Sequence, residues 1–190
     1  MVTSTKFSTL SVYVAASYRH LHLVQLWQAG LQAMMPSLQI LDWTSKAVPP
    51  AGLAPDQRRQ WMDTDQPGGT VYEFCADACR NADVVVYLGA SGQDAGVEVG
   101  IAAGAGVPVI GVAGPLEAPG LMLNGAVSRW CESLPEAELL LWSMEQCFHR
   151  AECWHMCPAI DFCKFPVRAL CKFPLRAEAA QAKNPPAPHR

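Results

Sequence analysis

Residues 83–112, DVVVYLGASGQDAGVEVGIAAGAGVPVIGV, decide the fold. The opening DVVVYLG (83–89) is a continuous run of β-branched and aromatic residues, the pattern of a strand buried on both faces. A polar, glycine-containing loop follows. The spacing then predicts a helix over Ala95–Ala105, and VPVIGV (107–112) returns to strand. Glu98 is expected in the first turn of that helix, where the helix dipole favours an ionised carboxylate. Such a carboxylate at the mouth of a sheet can attack a sugar carbon. On a solvated helix it would only complement the dipole. Gly92, Gly96, Gly100 and Gly104 recur every fourth residue, which predicts a side-chain-free stripe for close approach to the sheet or to a partner helix.

The same alternation extends outward. LSVYVAA (10–16) reads as a first strand, His20–Met35 as a helix stopped by Pro36, and LQILDW (38–43) as a second strand. Residues 44–66 carry three prolines and read as a loop with a short helix. Thr70–Asn81 is a further helix. After the decisive stretch come a short helix or loop at 117–124, a weak fifth strand near Ala126–Trp130, and a last helix over Pro135–Gln146. Buried strands alternating with helices predict an α/β fold: a doubly wound, flavodoxin-like, five-stranded parallel sheet with helices on both faces. Ligands of such sheets bind beyond the carboxyl ends of the strands.

The chain has 190 residues, 51% of them hydrophobic, and a net charge of −3. That much apolar side chain excludes a wholly disordered chain. The charge gives no reason to expect nucleic acid or a membrane as partner. The uncharged run between Glu98 and Glu117 approaches membrane-spanning length, but it is mostly Gly and Ala and is broken by Pro108, so no span is expected. The N-terminus lacks a signal-peptide pattern, and a cytoplasmic setting with reduced thiols is expected.

Charge and cysteine divide the chain. Residues 1–145 hold seven Lys/Arg against fourteen Asp/Glu, and residues 146–190 hold seven against three. Five of the eight cysteines (147, 153, 157, 163 and 171) lie in the second part. The expected organisation is an acidic ligand-binding domain, 1–145, and a basic, Cys-rich extension, 146–190. The extension's Cys and His residues are zinc-type ligands, but their spacing is irregular and lacks a C-x2-C knuckle. CKFPVRAL and CKFPLRAE form a two-copy near-repeat. The extension therefore reads as a loosely structured appendage, with no metal and no cofactor assigned.

The stretch GQDAGVEVGIAAGAGVPVIGV resembles the signature of the nucleoside 2-deoxyribosyltransferase-like superfamily, in which an E-x-G-x-A helix precedes a G-x-P-V-I strand. Glu98, Gly100 and Ala102, then Gly106 to Ile110, carry the likeness. VYVAASYRH resembles that superfamily's opening strand with Ser-x-Arg, NADVVVYL its third strand, and the nearest flavour is its phage and bacterial branch. The resemblance covers about residues 10–145. It implies cleavage or transfer at the N-glycosidic bond of a deoxyribonucleoside or deoxyribonucleotide, with Glu98 as nucleophile. It places Ser17 and Arg19 near the substrate's 5′ end, where Arg19 could bind a 5′-phosphate, and gives Tyr18 or His20 the role of stacking on or hydrogen-bonding the substrate. It sets Asp42 and Trp43 at the base pocket. The loop itself, with Gly92, Asp94 and Gly96, reads as substrate-binding because its glycines let a ligand approach the backbone and Asp94 is a further carboxylate there. The resemblance also implies a homodimer. One position departs: relatives carry an aspartate where this chain has Cys75. Asp77 lies roughly 200° further around the helix and cannot simply substitute. Glu73 remains a further carboxylate nearby, and Asp83 reads as structural. Non-catalytic nucleotide sensing and NAD-type glycohydrolysis are the alternative readings.

Overall fold

The computed structural model describes residues 9–63 and 65–150. Five strands, β1 (Ser11–Ala16), β2 (Gln39–Leu41), β3 (Val84–Leu88), β4 (Val109–Val112) and β5 (Arg129–Cys131), form one sheet in the order β2-β1-β3-β4-β5. Every pairing is parallel. The expected doubly wound sheet is therefore the observed one. β3 is buried at all five residues, as its unbroken apolar run requires.

The connecting helices are α1 (Leu21–Met34), α2 (Pro55–Asp63), α3 (Asp65–Asn81), α4 (Gln93–Gly104), α5 (Leu121–Ala126) and α6 (Leu134–Arg150). α1 buries Val24, Trp27, Gln28 and Leu31, the i, i+3, i+4, i+7 stripe of an amphipathic helix. α4 stops in a Schellman turn: Gly106, at φ 74°, donates to Ala103 O at 3.0 Å, and Val107 N donates to Ala102 O at 2.8 Å. That turn aims the chain directly into β4. Asp83 accepts from Ser11 N (2.8 Å) and Ser11 Oγ (2.6 Å), locking the entries of β3 and β1 together, the structural role expected of it.

Three local expectations are corrected. α4 begins at Gln93, two residues early, so Asp94 is in its first turn and Glu98 in its second. The dipole argument thus applies to Asp94. α3 begins at Asp65 rather than Thr70. The glycine stripe does not approach the sheet: a Cβ added at Gly92, Gly96, Gly100 or Gly104 would meet nothing within 4 Å. The inward face of α4 belongs instead to Ala95, Val99 and Ala102. No helix among the described residues is long and apolar enough to cross a membrane. The expectations for the Cys-rich extension from residue 151 onward lie outside the described residues.

Candidate active site

The strand order reverses between β1 and β3, and the carboxyl ends of these strands frame a cavity of about 470 Å³. That volume is in the range of small-molecule sites. Four consecutive-face positions of α4, Asp94, Val97, Glu98 and Ile101, form one wall. They follow i, i+3, i+4, i+7 spacing, so one helix stripe faces the cavity. Val71, Tyr72, Cys75 and Ala76 of α3 form the wall opposite. Ala16 and Tyr18 follow from β1, Trp43 and Ala47 from beyond β2, and Trp61 from α2.

Glu98 is one of the two acids that line the cavity. Its Oε1 accepts a 2.6 Å hydrogen bond from the hydroxyl of Tyr13, a fully buried residue of β1. Its Oε2 is buried with no hydrogen-bond partner. Burial pushes the carboxyl up to about 7; the Tyr13 hydroxyl and Cys75 thiol oppose the rise, and the charge of Asp94 adds to it. Near neutral pH the group is therefore divided between acid and carboxylate. A half-buried carboxyl beside Val97 and Ile101 is costly for the fold, and such groups cluster at functional sites. The Tyr13 phenol is raised well above its ordinary range, first by burial and then by Glu98, so it remains a donor. The Cys75 thiol is pushed up to about 12, mainly by burial, and stays protonated.

A second network fixes the loops that carry this wall. Ser17 N donates to Ser91 Oγ (2.9 Å), which donates to Leu88 O (2.5 Å). Ser91 N donates to the Tyr87 hydroxyl at 3.3 Å, and that hydroxyl donates to Glu117 Oε1. Glu117 Oε2 in turn accepts from Gly114 N at 2.9 Å. The loops after β1, β3 and β4 are thus joined side to side. Gly89 permits the approach: an added Cβ would lie 1.7 Å from Glu117 Oε2 and 2.7 Å from Gly114 N. Burial, reinforced by Glu117, pushes the Tyr87 phenol up to about 12.

The structure brings Glu98, Tyr18, Asp94, Cys75 and Trp43 to one cavity. Trp43 is held by a 2.8 Å bond from its indole N–H to Val14 O. Ser17, Arg19, Asp42, Gly92 and Gly96 do not line it. Ser17 accepts from Arg19 N and caps the 3-10 turn Tyr18–His20. Arg19 is exposed, and Asp42 accepts from Thr44 N and Thr44 Oγ1 at 2.9 and 2.7 Å. Asp77 is exposed and paired with Arg80 at 3.1 Å, while Glu73 is exposed outside the lining. His20 also lies outside the lining, with a buried, unpartnered Nδ1. Sequence reasoning missed Tyr13, Trp61 and Tyr72. A phenol amid small apolar residues in β1 was the available signal for Tyr13.

The chain matches no protein-family model and no curated protein. Among solved structures, it is similar to a 2-deoxyribosyltransferase from Bacillus psychrosaccharolyticus at 14% identity and TM-score 0.46, over 67% of this chain and 90% of that one. It is similar to the CMP N-glycosidase BcmB of Clostridium botulinum at 14% identity and TM-score 0.41, over 69% and 96%. A conserved protein from Enterococcus faecalis V583 superposes at TM-score 0.50 and 13% identity, over 69% of this chain and 96% of that one. With that last protein the likeness is one of fold: the same layered α/β arrangement built from a different sequence.

Proposed function

We propose that this chain cleaves the N-glycosidic bond of a deoxyribonucleoside or deoxyribonucleotide, or transfers the sugar across it, with Glu98 as nucleophile. One observation carries the reading. Glu98 lines a nucleoside-sized cavity with one oxygen held by Tyr13 and the other buried and unpartnered. A carboxylate oxygen without a hydrogen bond keeps its lone pairs for carbon. The motif resemblance around Glu98 supports the same role.

In the proposed reaction Glu98 Oε2 attacks C1′ as the C1′–N bond breaks, and the bonding pair leaves on the base. Tyr13 holds Oε1 and fixes the carboxylate plane. The deoxyribosyl-enzyme then passes its sugar to a second base or to water, as in retaining glycosidases. Aromatic walls from Tyr18, Trp43, Trp61 and Tyr72 supply faces on which a base can stack. The same reading assigns the ligand-binding domain to residues 1–145 and pairs the chain as a homodimer. The free, buried thiols of Cys75, Cys79 and Cys131 favour a reducing, cytoplasmic setting.

The test is base release from deoxynucleosides, their 5′-monophosphates and NAD. Release by the wild-type protein and not by Glu98→Ala is the expected result. Release that survives Glu98→Ala refutes the nucleophile. Cys75 favours a second reading, nucleotide binding without turnover, because a thiol stands where the resemblance implies a carboxylate. Tight binding with no base released from any of these compounds would select it.

A further inference from the structure

The cavity has a charge and surface character that narrows its substrate beyond an N-glycoside in general. Its two charged side chains, Asp94 and Glu98, are both acids. Among the described residues no Lys, Arg or His lines it. Arg19 is exposed and outside the lining, and Lys46 sits over the Phe74 ring, 5.7 Å from its centroid. The rest of the wall is apolar or aromatic, with Tyr18, Trp43, Trp61 and Tyr72 contributing rings. Tyr18 and Trp43 stand 6.4 Å apart at 46°, two faces of one corner. Aromatic faces together with carboxylates are the recognition chemistry of an organic cation. They repel a phosphate, which elsewhere is held by arginines or lysines.

The reacting groups give an independent reason. An ordinary neutral base leaves as an anion unless a proton reaches it. Beside Glu98 stands Cys75, and burial keeps that thiol too weak an acid to deliver one at neutral pH. A base that already carries a positive charge needs no proton. The C1′–N electron pair neutralises it, and it departs as a neutral molecule.

We propose that the preferred substrate is an N-nucleoside with a cationic base, a pyridinium or an N-alkylated purine, and without a 5′-phosphate. The proposal rests on Glu98 being the nucleophile. Its Oε2 forms the bond to C1′ as the base leaves with the electron pair of the broken bond. Water then attacks C1′, frees the Glu98 carboxylate and gives up its proton to solvent.

The experiment has two arms on the full chain. In the first, enzyme-dependent base release above background is measured for nicotinamide riboside and N7-methyl-2′-deoxyguanosine, against 2′-deoxyguanosine and the 5′-monophosphates of all three. The expected result is kcat/KM at least tenfold higher for the cations, a loss of at least tenfold on adding the phosphate, and a reduced cation preference in Asp94→Asn. Equal turnover of neutral nucleosides, or faster turnover of the phosphates, overturns the proposal while leaving Glu98 as nucleophile. In the second arm, binding of 1-methylnicotinamide is compared with binding of neutral nicotinamide. This arm needs no turnover. If nothing is hydrolysed, the nucleophile reading fails, and equal affinity for the two amides then overturns the charge preference as well.

Discussion

Replacing Glu98 by glutamine separates a functional carboxylate from a structural one, because the two roles predict opposite changes in stability. In the folded protein burial lifts the Glu98 carboxyl from its ordinary 4.5 to about 7. Between those values the native state holds a proton that the unfolded chain has released, so stability falls as pH rises. The contribution is fully present below pH 4.5 and is lost as pH passes through about 7. At about 1.4 kcal/mol for each tenfold change in acidity, the loss amounts to about 3 kcal/mol. Glutamine fills the same space and its carbonyl can still accept from Tyr13, but it never ionises. Urea unfolding of both proteins at pH 5 and pH 8.5 measures the difference. Glu98→Gln should lie within about 1 kcal/mol of the wild type at pH 5 and exceed it by about 3 kcal/mol at pH 8.5, or roughly 6–12 °C in Tm. Base release should be abolished at both pH values. Parallel stability–pH curves for the two proteins would refute the argument, since they would mean that Glu98 is not buried against its charge.

Tyr13→Phe removes the 2.6 Å bond to Glu98. It should move the rising limb of the pH–rate profile above about 7, with a stability loss of about 1 kcal/mol; an unmoved limb would show that Tyr13 does not tune the carboxylate. Gly89→Ala places a Cβ 1.7 Å from Glu117 Oε2, and denaturant unfolding should show a loss of about 1–3 kcal/mol from overpacking. The thiols of Cys75, Cys79 and Cys131 are buried and raised, Cys75 to about 12 and Cys131 to about 11. Peptide-resolved alkylation at pH 8 should therefore leave all three unmodified until urea unfolds the domain. Rapid native labelling of Cys75 would contradict its burial.

The sheet was legible because its strands are continuous apolar runs. VYVAA, VVVYL and VPVIGV admit little besides buried parallel strands, and the helices between them follow from right-handed crossovers. Boundaries were less legible where the backbone, not the side-chain pattern, decides them. Gln93 and Asp94 look like loop residues in sequence, yet they form the first turn of α4. Glu98 was readable from its motif, but its environment was not: the dipole suggested an ionised first-turn acid, whereas the fold buries the residue one turn deeper against Tyr13. That contact joins residues 85 positions apart and leaves no periodic trace. Trp61 lies near no motif, and Tyr72, three residues before Cys75, belongs to none. They reach the cavity through the packing of α2 and α3.

The joined loops of Ser17, Ser91, Tyr87 and Glu117 have a consequence for how such a protein diversifies. They anchor the Glu98 side of the cavity to the ends of three strands, where Gly89 and Gly114 leave no room for an added Cβ. The opposite side belongs to α2 and α3, a contiguous stretch of chain with exposed residues such as Tyr72. The outer wall can therefore change through one segment while the Glu98 wall stays in place. The division makes α2 and α3 the natural target for changing what the cavity accepts by directed evolution.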